Sequence, residues 1–408
     1  MKKKHYLIIF LSFLITSSFY GQVLEVKEGK RAIVKETPDG NASHIDTLEA
    51  GTFVWKLGDY PRYNAIQTID GTTGYSYKGN FKSSNKSIAS TLSKKSLLAK
   101  TDALKIIVID VEVGDATLII CPEENGIRDV LLIDTGVNDG DRICQELKNN
   151  GFVLANQPIT RFYNSHYDQD HMGDVSGVSH LIKVAYDTGE KDVTYGYKKA
   201  LKNIDRRTMS LSYEETFSGG VNIECVAVNN ATIFNPNQPA HKKKNNNSIA
   251  LIISYNGFDY FTGGDLTFSS EKQLAKGIKN CDAYHVNHHG SSATSSCIEF
   301  IEKLDPEIAV VSNGTSHGHP TEVVAKRLTN YGCKFYQTNV NPKAKANHPP
   351  NKYIGDTTYL TSKAENKEGA TGSIRIVVDN TNYYVIMPNL PLDEGVFPIE
   401  KLTNPVFR

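Results

Sequence analysis

The stretch His166-Tyr167-Asp168-Gln169-Asp170-His171 decides the fold of this chain, because it brings two histidines and two aspartates within six residues. It follows an apolar, strand-like segment that runs from Ile159 to Tyr163. A loop at the end of a strand can turn several such side chains toward one point, and their nitrogen and carboxylate atoms are ligands that hold zinc or manganese. An acidic loop in solvent is the alternative, and the rest of the chain distinguishes the two.

Three other segments place a polar or chelating side chain directly after an apolar strand. Around them, strand-like runs alternate with helical stretches, which predicts an α/β fold whose helices cover both outer faces of a pair of sheets. Because α/β folds build their sites at strand ends, the segments predict one shared site. They are Leu131 to Gly136, which contains Asp134; Phe261 to Leu266, which contains Asp265; and His288-His289-Gly290.

With these segments in this order, the chain resembles the metallo-β-lactamase superfamily, and more narrowly the soluble hydrolase domain of ComEC-type competence proteins and related secreted phosphodiesterases. Ser165 to Asp174 is similar to the signature of that subgroup, in which an aspartate, here Asp168, stands where classical lactamases have a histidine. Further motifs that match are Ile109 to Ala116, Asn246 to Leu251 and Ser312 to Pro320. The resemblance implies an αββα sandwich of the metallo-β-lactamase type, which we place over residues 103–390.

The same resemblance implies a pair of divalent metal ions, Zn²⁺ or Mn²⁺, on the two sides of a bridging carboxylate. Asp265 is expected to be the bridge, since a carboxylate has two oxygens to share. Either His288 or His289 completes the shell, and spacing does not choose between them. The other ligands fall into two pairs, one for each metal: His166 with Asp168, and Asp170 with His171.

Supporting roles follow from the same resemblance. Asp134 is expected to orient a metal ligand through a hydrogen bond. Asp170 and His319 are the candidate catalytic residues, with His319 at the edge of the site as a proton donor or a substrate contact. His317 is either a similar contact or an ordinary loop histidine.

One departure from the family pattern concerns the first metal. Conventional members supply a third histidine just before the strand that leads to the bridging aspartate, and this chain has Asn247 or Ser248 there. The first metal is therefore expected to have a weaker and more oxygen-rich shell. Manganese becomes a serious rival to zinc for that reason.

Two metal ions about 3.5–4 Å apart lower the pKa of a shared water, so that hydroxide is available for attack. We expect a phosphodiester substrate, either nucleic acid or a wall phosphate ester, because the resembling subgroup includes phosphodiesterases. Two basic stretches, over residues 198–207 and 242–244, are candidates to border the pocket, although solvated charge also explains them. The alternatives are a lactone or β-lactam hydrolase with the same metals, and a degenerate cell-wall binding protein.

The first 102 residues predict export and a separate module. Basic residues followed by a short apolar run predict a signal peptide over residues 1–22. The protein is therefore expected to be periplasmic or extracellular, without an integral membrane span after cleavage. An uncleaved membrane anchor is the alternative interpretation of the same residues. Residues 23–82 have short apolar stretches between turn signals, and Ile45 to Thr52 resembles the strand-turn of bacterial SH3-type modules. This implies an SH3-like β barrel that either binds cell-wall peptide or only packs. Residues 83–102 are predicted to be a linker and residues 391–408 a C-terminal tail.

Composition excludes some functions and leaves others open. The chain has 408 residues, with 45 basic and 45 acidic side chains, so no global field draws it to nucleic acid or to an anionic membrane. Recognition of phosphate must therefore be local. None of the six cysteines lies in a Cys-x-x-Cys pair, so we do not expect them to bind metal. The segment from Asn341 to Gly372 is either a lid or a polar loop.

Overall fold

The computed structural model describes residues 22–68, 72–84, 94–137, 140–191, 193–314, 318–339, 354–356, 372–387 and 395–399. Nearly all of the predicted signal peptide and most of the segment over residues 341–372 lie outside these ranges. No helix in the described ranges is long and apolar enough to cross a membrane. The six cysteines are all described, and all of them are free thiols.

The N-terminal part of the described chain is an antiparallel sheet of seven strands. Its side chains alternate between core and solvent, as in a strand with one covered face: Ala32 and Val34 are buried, while Ile33 is 45% exposed. This confirms the predicted all-β N-terminal unit, and its likeness to an SH3 barrel stays a prediction. The strands are β1 (Gln22–Val26), β2 (Ala32–Lys35), β3 (His44–Leu48), β4 (Phe53–Asp59), β5 (Tyr63–Thr68), β6 (Thr73–Tyr77) and β7 (Phe81–Ser83).

Two further sheets make up most of the remaining chain. In chain order their strands are β8 (Leu104–Val108), β9 (Thr117–Ile120), β10 (Val130–Ile133), β11 (Ile159–Tyr163), β12 (Ile182–Asp187), β13 (Asp205–Thr208), β14 (Glu214–Phe217), β15 (Val221–Val228), β16 (Ala231–Thr232), β17 (Ala250–Tyr255), β18 (Phe258–Thr262), β19 (Ala283–His285), β20 (Ile308–Val311), β21 (Lys334–Asn339), β22 (Ile354–Asp356), β23 (Ile374–Val378), β24 (Asn382–Ile386) and β25 (Val396–Pro398). The first sheet has the order β13-β12-β11-β10-β9-β8-β23-β24-β25. The second has the order β14-β15-β17-β18-β19-β20-β21-β22, with β16 paired to β15.

The helices of the described chain lie mostly between these strands. They are α1 (Lys94–Ala99), α2 (Gly140–Asn149), α3 (Gln169–Met172), α4 (Val175–Val178), α5 (Tyr195–Ala200), α6 (Phe268–Leu274), α7 (Ile298–Leu304) and α8 (Glu322–Asn330). Because every residue of β8, β9 and β10 is buried, both faces of the first sheet are covered there.

Three apolar clusters define the layers of the sandwich. One cluster joins the facing sides of the two sheets, for example Ile106 with Leu251 and Tyr260. A second packs α2, α4 and α5 on the outer face of the first sheet. A third packs α6, α7 and α8 on the outer face of the second sheet. The predicted αββα sandwich is confirmed.

Two boundary regions differ from the sequence-based expectation. The predicted linker over residues 83–102 contains α1, whose Leu97 is fully buried against Val377, Tyr384 and Ile386 of the first sheet. The predicted tail over residues 391–408 contains β25, which pairs with β24. A single buried leucine in a Ser/Lys-rich segment has no periodicity of its own, so only the tertiary contact reveals the helix.

Parallel pairing sets the position of the functional loops. In the first sheet β10, β11 and β12 run parallel, and in the second β18, β19 and β20 do. The carboxyl ends of parallel neighbours meet at one edge, where ligand sites of α/β sheets form. The loops that follow β10, β11, β18 and β19 carry the predicted site residues.

Candidate metal centre

Asp134 holds the first loop of the site in place. It follows β10 with a left-handed backbone, φ +57°, and is almost fully buried. Its Oδ1 accepts a hydrogen bond from the backbone nitrogen of Ser165 at 2.7 Å, and its Oδ2 accepts from Nδ1 of His171 at 2.7 Å. Since Nδ1 of His171 is engaged by the carboxylate, its Nε2 is left to face the centre, as in carboxylate–histidine–metal arrangements. The orienting contact expected of Asp134 is present in the structure.

The 166–171 loop enters the site through a close backbone contact. Asp168 precedes the short helix α3, which carries Asp170 and His171. The backbone oxygen of Asp170 accepts from the nitrogen of Asp115 at 3.0 Å. A Cβ on Gly114, φ +104°, would lie 1.8 Å from that oxygen, so only glycine permits the approach. This explains the glycine of the motif over residues 109–116.

Asp265 lies between the histidines, three residues after β18. Its Oδ1 is 3.1 Å from Nε2 of His171, and its Oδ2 is 3.7 Å from Nε2 of His166. Gly264, φ +52°, lets the two loops approach, because a Cβ there would be 2.5 Å from the hydroxyl of Ser165. The two oxygens of one buried carboxylate therefore face different histidines.

Both histidines of the 288–289 pair point toward this carboxylate. Nε2 of His288 is 3.3 Å from Oδ2 of Asp265, and Nε2 of His289 is 3.6 Å from Oδ1. Nε2 of His289 also lies 3.4 Å from Oδ2 of Asp170. Spacing left open which of the two completes the metal shell, and the structure directs both imidazoles toward Asp265.

Buried polar atoms at this point match the donor set of a divalent metal. Nε2 of His166, His171 and His289 and Oδ1 of Asp265 are buried without a hydrogen-bond partner in the structure. Buried polar atoms are ordinarily satisfied, and four such atoms that converge form a donor set that fits a divalent cation. The ligand atoms lie within 4.8 Å of one another in three groups: His166, His171 and Asp265; Asp170, His171 and His289; and Asp115, Asp134 and His171.

The pKa values of these groups show how strongly their charges interact. Burial acts to raise the pKa of Asp265, but the adjacent His171 imidazole holds it well below its usual value. Burial acts to lower the pKa of His289, but the Asp170 carboxylate, whose Oδ2 lies 3.4 Å from Nε2 of His289, raises it to about 9. The raised pKa values of His171 and His289 favour imidazolium forms that would balance the neighbouring carboxylates. Metal ions at these positions would replace those protons.

The loop before β17 places different residues at the site than the sequence analysis expected. Nδ2 of Asn247 donates to the carbonyl oxygen of His241 at 2.8 Å and to Oε1 of Glu190 at 3.2 Å, which directs it away from the ligands. The amide of Asn245 instead donates to Oδ2 of Asp265 at 2.8 Å. Ser248 is fully buried. The three adjacent asparagines look alike in sequence, so only the loop geometry selects Asn245.

Lys244 in the same loop borders the centre. Its Nζ is 3.3 Å from Oδ1 of Asp168 and donates to the carbonyl oxygen of Tyr167 at 3.0 Å. The other basic stretch is committed elsewhere: Arg206 pairs with Asp187 and Arg207 with Asp205. Those arginines line a cavity of about 300 Å³ that is separate from the cluster of metal ligands. Arg206 connects this cavity to the 166–171 loop, because it donates a 3.1 Å hydrogen bond to the Tyr167 hydroxyl.

Asp115 and His319 lie next to the cluster of candidate metal ligands. Oδ1 of Asp115 is 3.1 Å from Nε2 of His285, and both side chains are buried beside the ligands. The sequence analysis quoted Asp115 within a motif but gave it no role. The His319 ring lies 6.2 Å from that of His288 at the half-buried rim. His317 lies outside the described residues.

Comparisons with known proteins relate part of the chain to competence proteins. No family model matches it. It is 25% identical over 259 residues to ComE operon protein 3 of Bacillus subtilis (57% of this chain, 31% of that protein) and 26% identical over 247 residues to Recombination protein 2 of Haemophilus influenzae (59% and 28%). It is also 26% identical over 182 residues to Competence protein ComA of Neisseria gonorrhoeae (43% and 23%). The chain therefore spans less than a third of the length of these relatives.

Two solved structures illustrate the distant structural similarity of this chain to known proteins. The metallo-β-lactamase fold protein YhfI of Bacillus subtilis matches with a TM-score of 0.39 and 12% identity, over 58% of this chain and 96% of that one. Zn²⁺-bound PqqB of Methylobacterium extorquens matches with a TM-score of 0.37 and 11% identity, over 57% of this chain and 97% of that one.

Fold and site together define this chain as an αββα protein with a histidine and aspartate cluster suited to divalent metals. Over part of its length it is similar in sequence to ComE operon protein 3, Competence protein ComA and Recombination protein 2.

Proposed function

We propose that this chain is a metal-dependent phosphodiesterase that works with two divalent ions. The observation that carries the proposal is the position of Asp265, whose two oxygens face two separate sets of ligand atoms. His166 and Asp168 would hold one ion, and Asp170, His171 and His289 the other, with Asp265 between them. Two such ions would supply Lewis acidity and a water of lowered pKa.

The side chains around the ligands support phosphoryl chemistry. Nζ of Lys244 lies 3.3 Å from Oδ1 of Asp168, a proposed ligand of the first metal. At this place the ammonium group can neutralise an oxygen of a bound phosphate. His319, at the half-buried rim, can donate a proton to the leaving oxygen. Oδ2 of Asp170 lies 3.4 Å from Nε2 of His289, so both side chains would bind the same ion. A neutral lactone carries no phosphate charge for Lys244 to neutralise.

The experiment is a substrate screen of the protein reconstituted first with Zn²⁺ and then with Mn²⁺. We expect hydrolysis of bis-(p-nitrophenyl) phosphate, and little turnover of a chromogenic β-lactam or a lactone. Lys244→Gln should lower kcat/KM for the diester by about tenfold or more, because a charge at the developing oxyanion is lost. Lys242→Gln, an exposed change two residues away, is the matched control and should have no effect. Turnover of lactone alone would contradict the proposed substrate class.

Export and the role of the N-terminal sheet belong to the same proposal. We infer that residues 1–22 direct secretion to the periplasm or the medium, and that the seven-stranded unit is an SH3-like module for cell-wall peptide. The basic and apolar order of the first residues supports the first inference, and the turn spacing of residues 23–82 supports the second. The mature N-terminus of the secreted protein, determined by sequencing, should lie near Gly21 or Gln22.

A further inference from the structure

Glu271 is a fully buried carboxylate that does not belong to any of the three candidate ligand groups of the described chain. It lies in the first turn of α6, the helix that follows Asp265. A carboxylate is costly to bury unless hydrogen bonds satisfy it, so its position depends on the donors around it. Neither the candidate ligands nor the proposed reaction includes this group.

Three N–H groups converge on this carboxylate. Its Oε1 accepts hydrogen bonds from the side-chain amide of Asn287 at 2.8 Å and from the backbone nitrogen of Ser296 at 2.7 Å. Its Oε2 accepts from the backbone nitrogen of Cys297 at 2.8 Å. All three donors belong to residues 287–297, the segment after β19 that carries two adjacent histidines of the site and that we call the histidine loop. Glu271 therefore holds both ends of the histidine loop against α6.

Asn287 connects this contact to the loop that carries Asp265. Its side chain packs closely on Gly263, where an added Cβ would be 2.6 Å from Oδ1 of Asn287. One residue further on, the backbone nitrogen of His288 donates to the carbonyl oxygen of Gly264 at 2.9 Å. The Asp265 loop and the histidine loop therefore meet along two consecutive residues of each, directly beside the candidate ligands. The asparagine that the buried carboxylate holds begins this contact.

The hydrogen bonds at Glu271 require an acceptor on both oxygens. An ionised carboxylate is acceptor-only, whereas the amide of glutamine has one acceptor and one donor group. In one orientation that donor would face the N–H of Cys297, and in the other it would face the two remaining donors. A nearly isosteric change at Glu271 therefore weakens the attachment of the histidine loop without creating a cavity.

We propose that Glu271 is a positioning residue of the metal centre, which acts through Asn287 to fix the histidine loop relative to the Asp265 loop. Ligands on separate loops keep a productive geometry only when contacts behind them hold those loops in place. Glu271 supplies such a contact for the two loops of the second sheet. The inference rests on the proposed binuclear site, and it adds a residue that acts through the loops it joins rather than as a ligand.

The test compares metal binding by Glu271→Gln and by the unaltered protein, with Co²⁺ as a spectroscopic substitute for Zn²⁺ or Mn²⁺. We expect the affinity for Co²⁺ in titrations to fall by about tenfold or more. The visible absorption spectrum of the bound ion should also change, because it depends on ligand geometry. Asn287→Ala, which keeps the two backbone hydrogen bonds of Glu271, should change the affinity and the spectrum in the same direction.

A double variant tests whether Glu271 acts through Asn287. Glu271→Gln/Asn287→Asp exchanges the amide and the carboxylate, so the new amide can donate to the new carboxylate. It should recover part of the Co²⁺ affinity that Glu271→Gln loses. Asn287→Asp alone places two buried carboxylates side by side and should recover nothing, because like charges repel.

Two controls separate positioning from stability. Glu299→Gln, the same change at an exposed glutamate of α7, should keep the affinity and the spectrum of the unaltered protein. Leu97→Ala removes buried packing in α1 and should lower the unfolding midpoint without changing either property.

The contrary results are distinct from those of the proposed function. If Glu271→Gln and Asn287→Ala lower only the unfolding midpoint, or if the double variant recovers nothing, the positioning role is wrong while the binuclear site stands. Should Glu271→Gln fail to fold, the affinity and the spectrum of Asn287→Ala decide between these results. If the unaltered protein binds no metal, both the positioning role and the proposed function fail.

Discussion

Asp265 contacts more of the candidate ligands than its neighbours do, because its carboxylate lies between four histidines. It is 3% exposed, and its carboxylate contacts four imidazoles and the amide of Asn245. The sequence alone suggested a strand-end residue outside the core, but the structure buries it between two loops. A change here therefore affects charge and packing together, and an isosteric substitution separates the two effects better than alanine does.

We expect Asp265→Asn to reduce turnover by several orders of magnitude while the protein stays folded. The amide keeps the shape of the side chain but removes the negative charge between two cations, which would then repel at short range with less compensation. Metal content should fall below that of the unaltered protein when both are reconstituted with Mn²⁺ and analysed for bound metal.

Asp305→Asn is the matched control for this change. It makes the same isosteric substitution at an exposed residue whose left-handed backbone, φ +46°, asparagine tolerates. It should retain full activity and both metals. If Asp265→Asn keeps a tenth or more of the activity with both metals bound, the bridging role must be abandoned.

At the scale of elements, α1 ties the segment before the sandwich to its first sheet. Leu97 is fully buried, Nζ of Lys94 donates to the carbonyl oxygen of Met387 at 2.6 Å, and Lys100 pairs with Asp379 at 3.1 Å. Six residues of helix are too few to be stable alone, so these contacts hold it. The sandwich therefore extends in sequence to at least Lys94.

We expect Leu97→Ala to lower the free energy of unfolding of the sandwich by about 2–4 kcal/mol, since it leaves a cavity in a closed apolar cluster. Lys95→Ala on the exposed face of the same helix is the control and should change it little. Chemical denaturation measures both. Turnover of a small diester in native buffer should be unchanged, because α1 contributes no candidate ligand.

A related comparison tests the boundary itself. A chain shortened to begin at residue 103 should unfold at lower denaturant concentration than one that begins near residue 85. Equal midpoints for the two shortened chains would show that α1 is dispensable. Retained turnover in both would support a site contained within the sandwich, and loss of turnover in a folded shortened chain would place part of the site in the N-terminal unit.

At the scale of the whole molecule, the centre joins the two sheets. The loop after β11 brings His166 and His171 from the first sheet, and the loops after β18 and β19 bring Asp265, His288 and His289 from the second. A metal bound between them links the halves of the sandwich at one edge. Because the unfolded chain lacks this arrangement, binding energy adds to the stability of the folded state.

Reconstitution should therefore raise the thermal unfolding midpoint. At a free metal concentration about a hundred times the dissociation constant, one site adds about 2.7 kcal/mol. For the sandwich, which extends from α1 to β25, that corresponds to a rise of about 4 °C per bound ion. Calorimetric scans with EDTA and with Mn²⁺ measure the difference. Asp265→Asn should show a much smaller rise, and identical midpoints for the unaltered protein with and without metal would contradict a centre that spans both sheets.

Much of the fold and the identity of most site residues followed from the sequence. Apolar strands that end in Asp134, His166 or Asp265 predicted both the αββα layers and the side chains that converge, because strand periodicity and strand-end position are local properties of the chain. The predicted all-β N-terminal unit was visible for the same reason, in turn signals at short intervals.

The tertiary structure alone decided the rest. Which asparagine meets Asp265, and how the two neighbouring histidines divide between its oxygens, depend on loop geometry that identical residue types do not encode. The helix around Leu97 exists because of contacts with residues about 280 positions later in the chain. Such features arise from packing between distant segments, whose energy no local pattern of residues records.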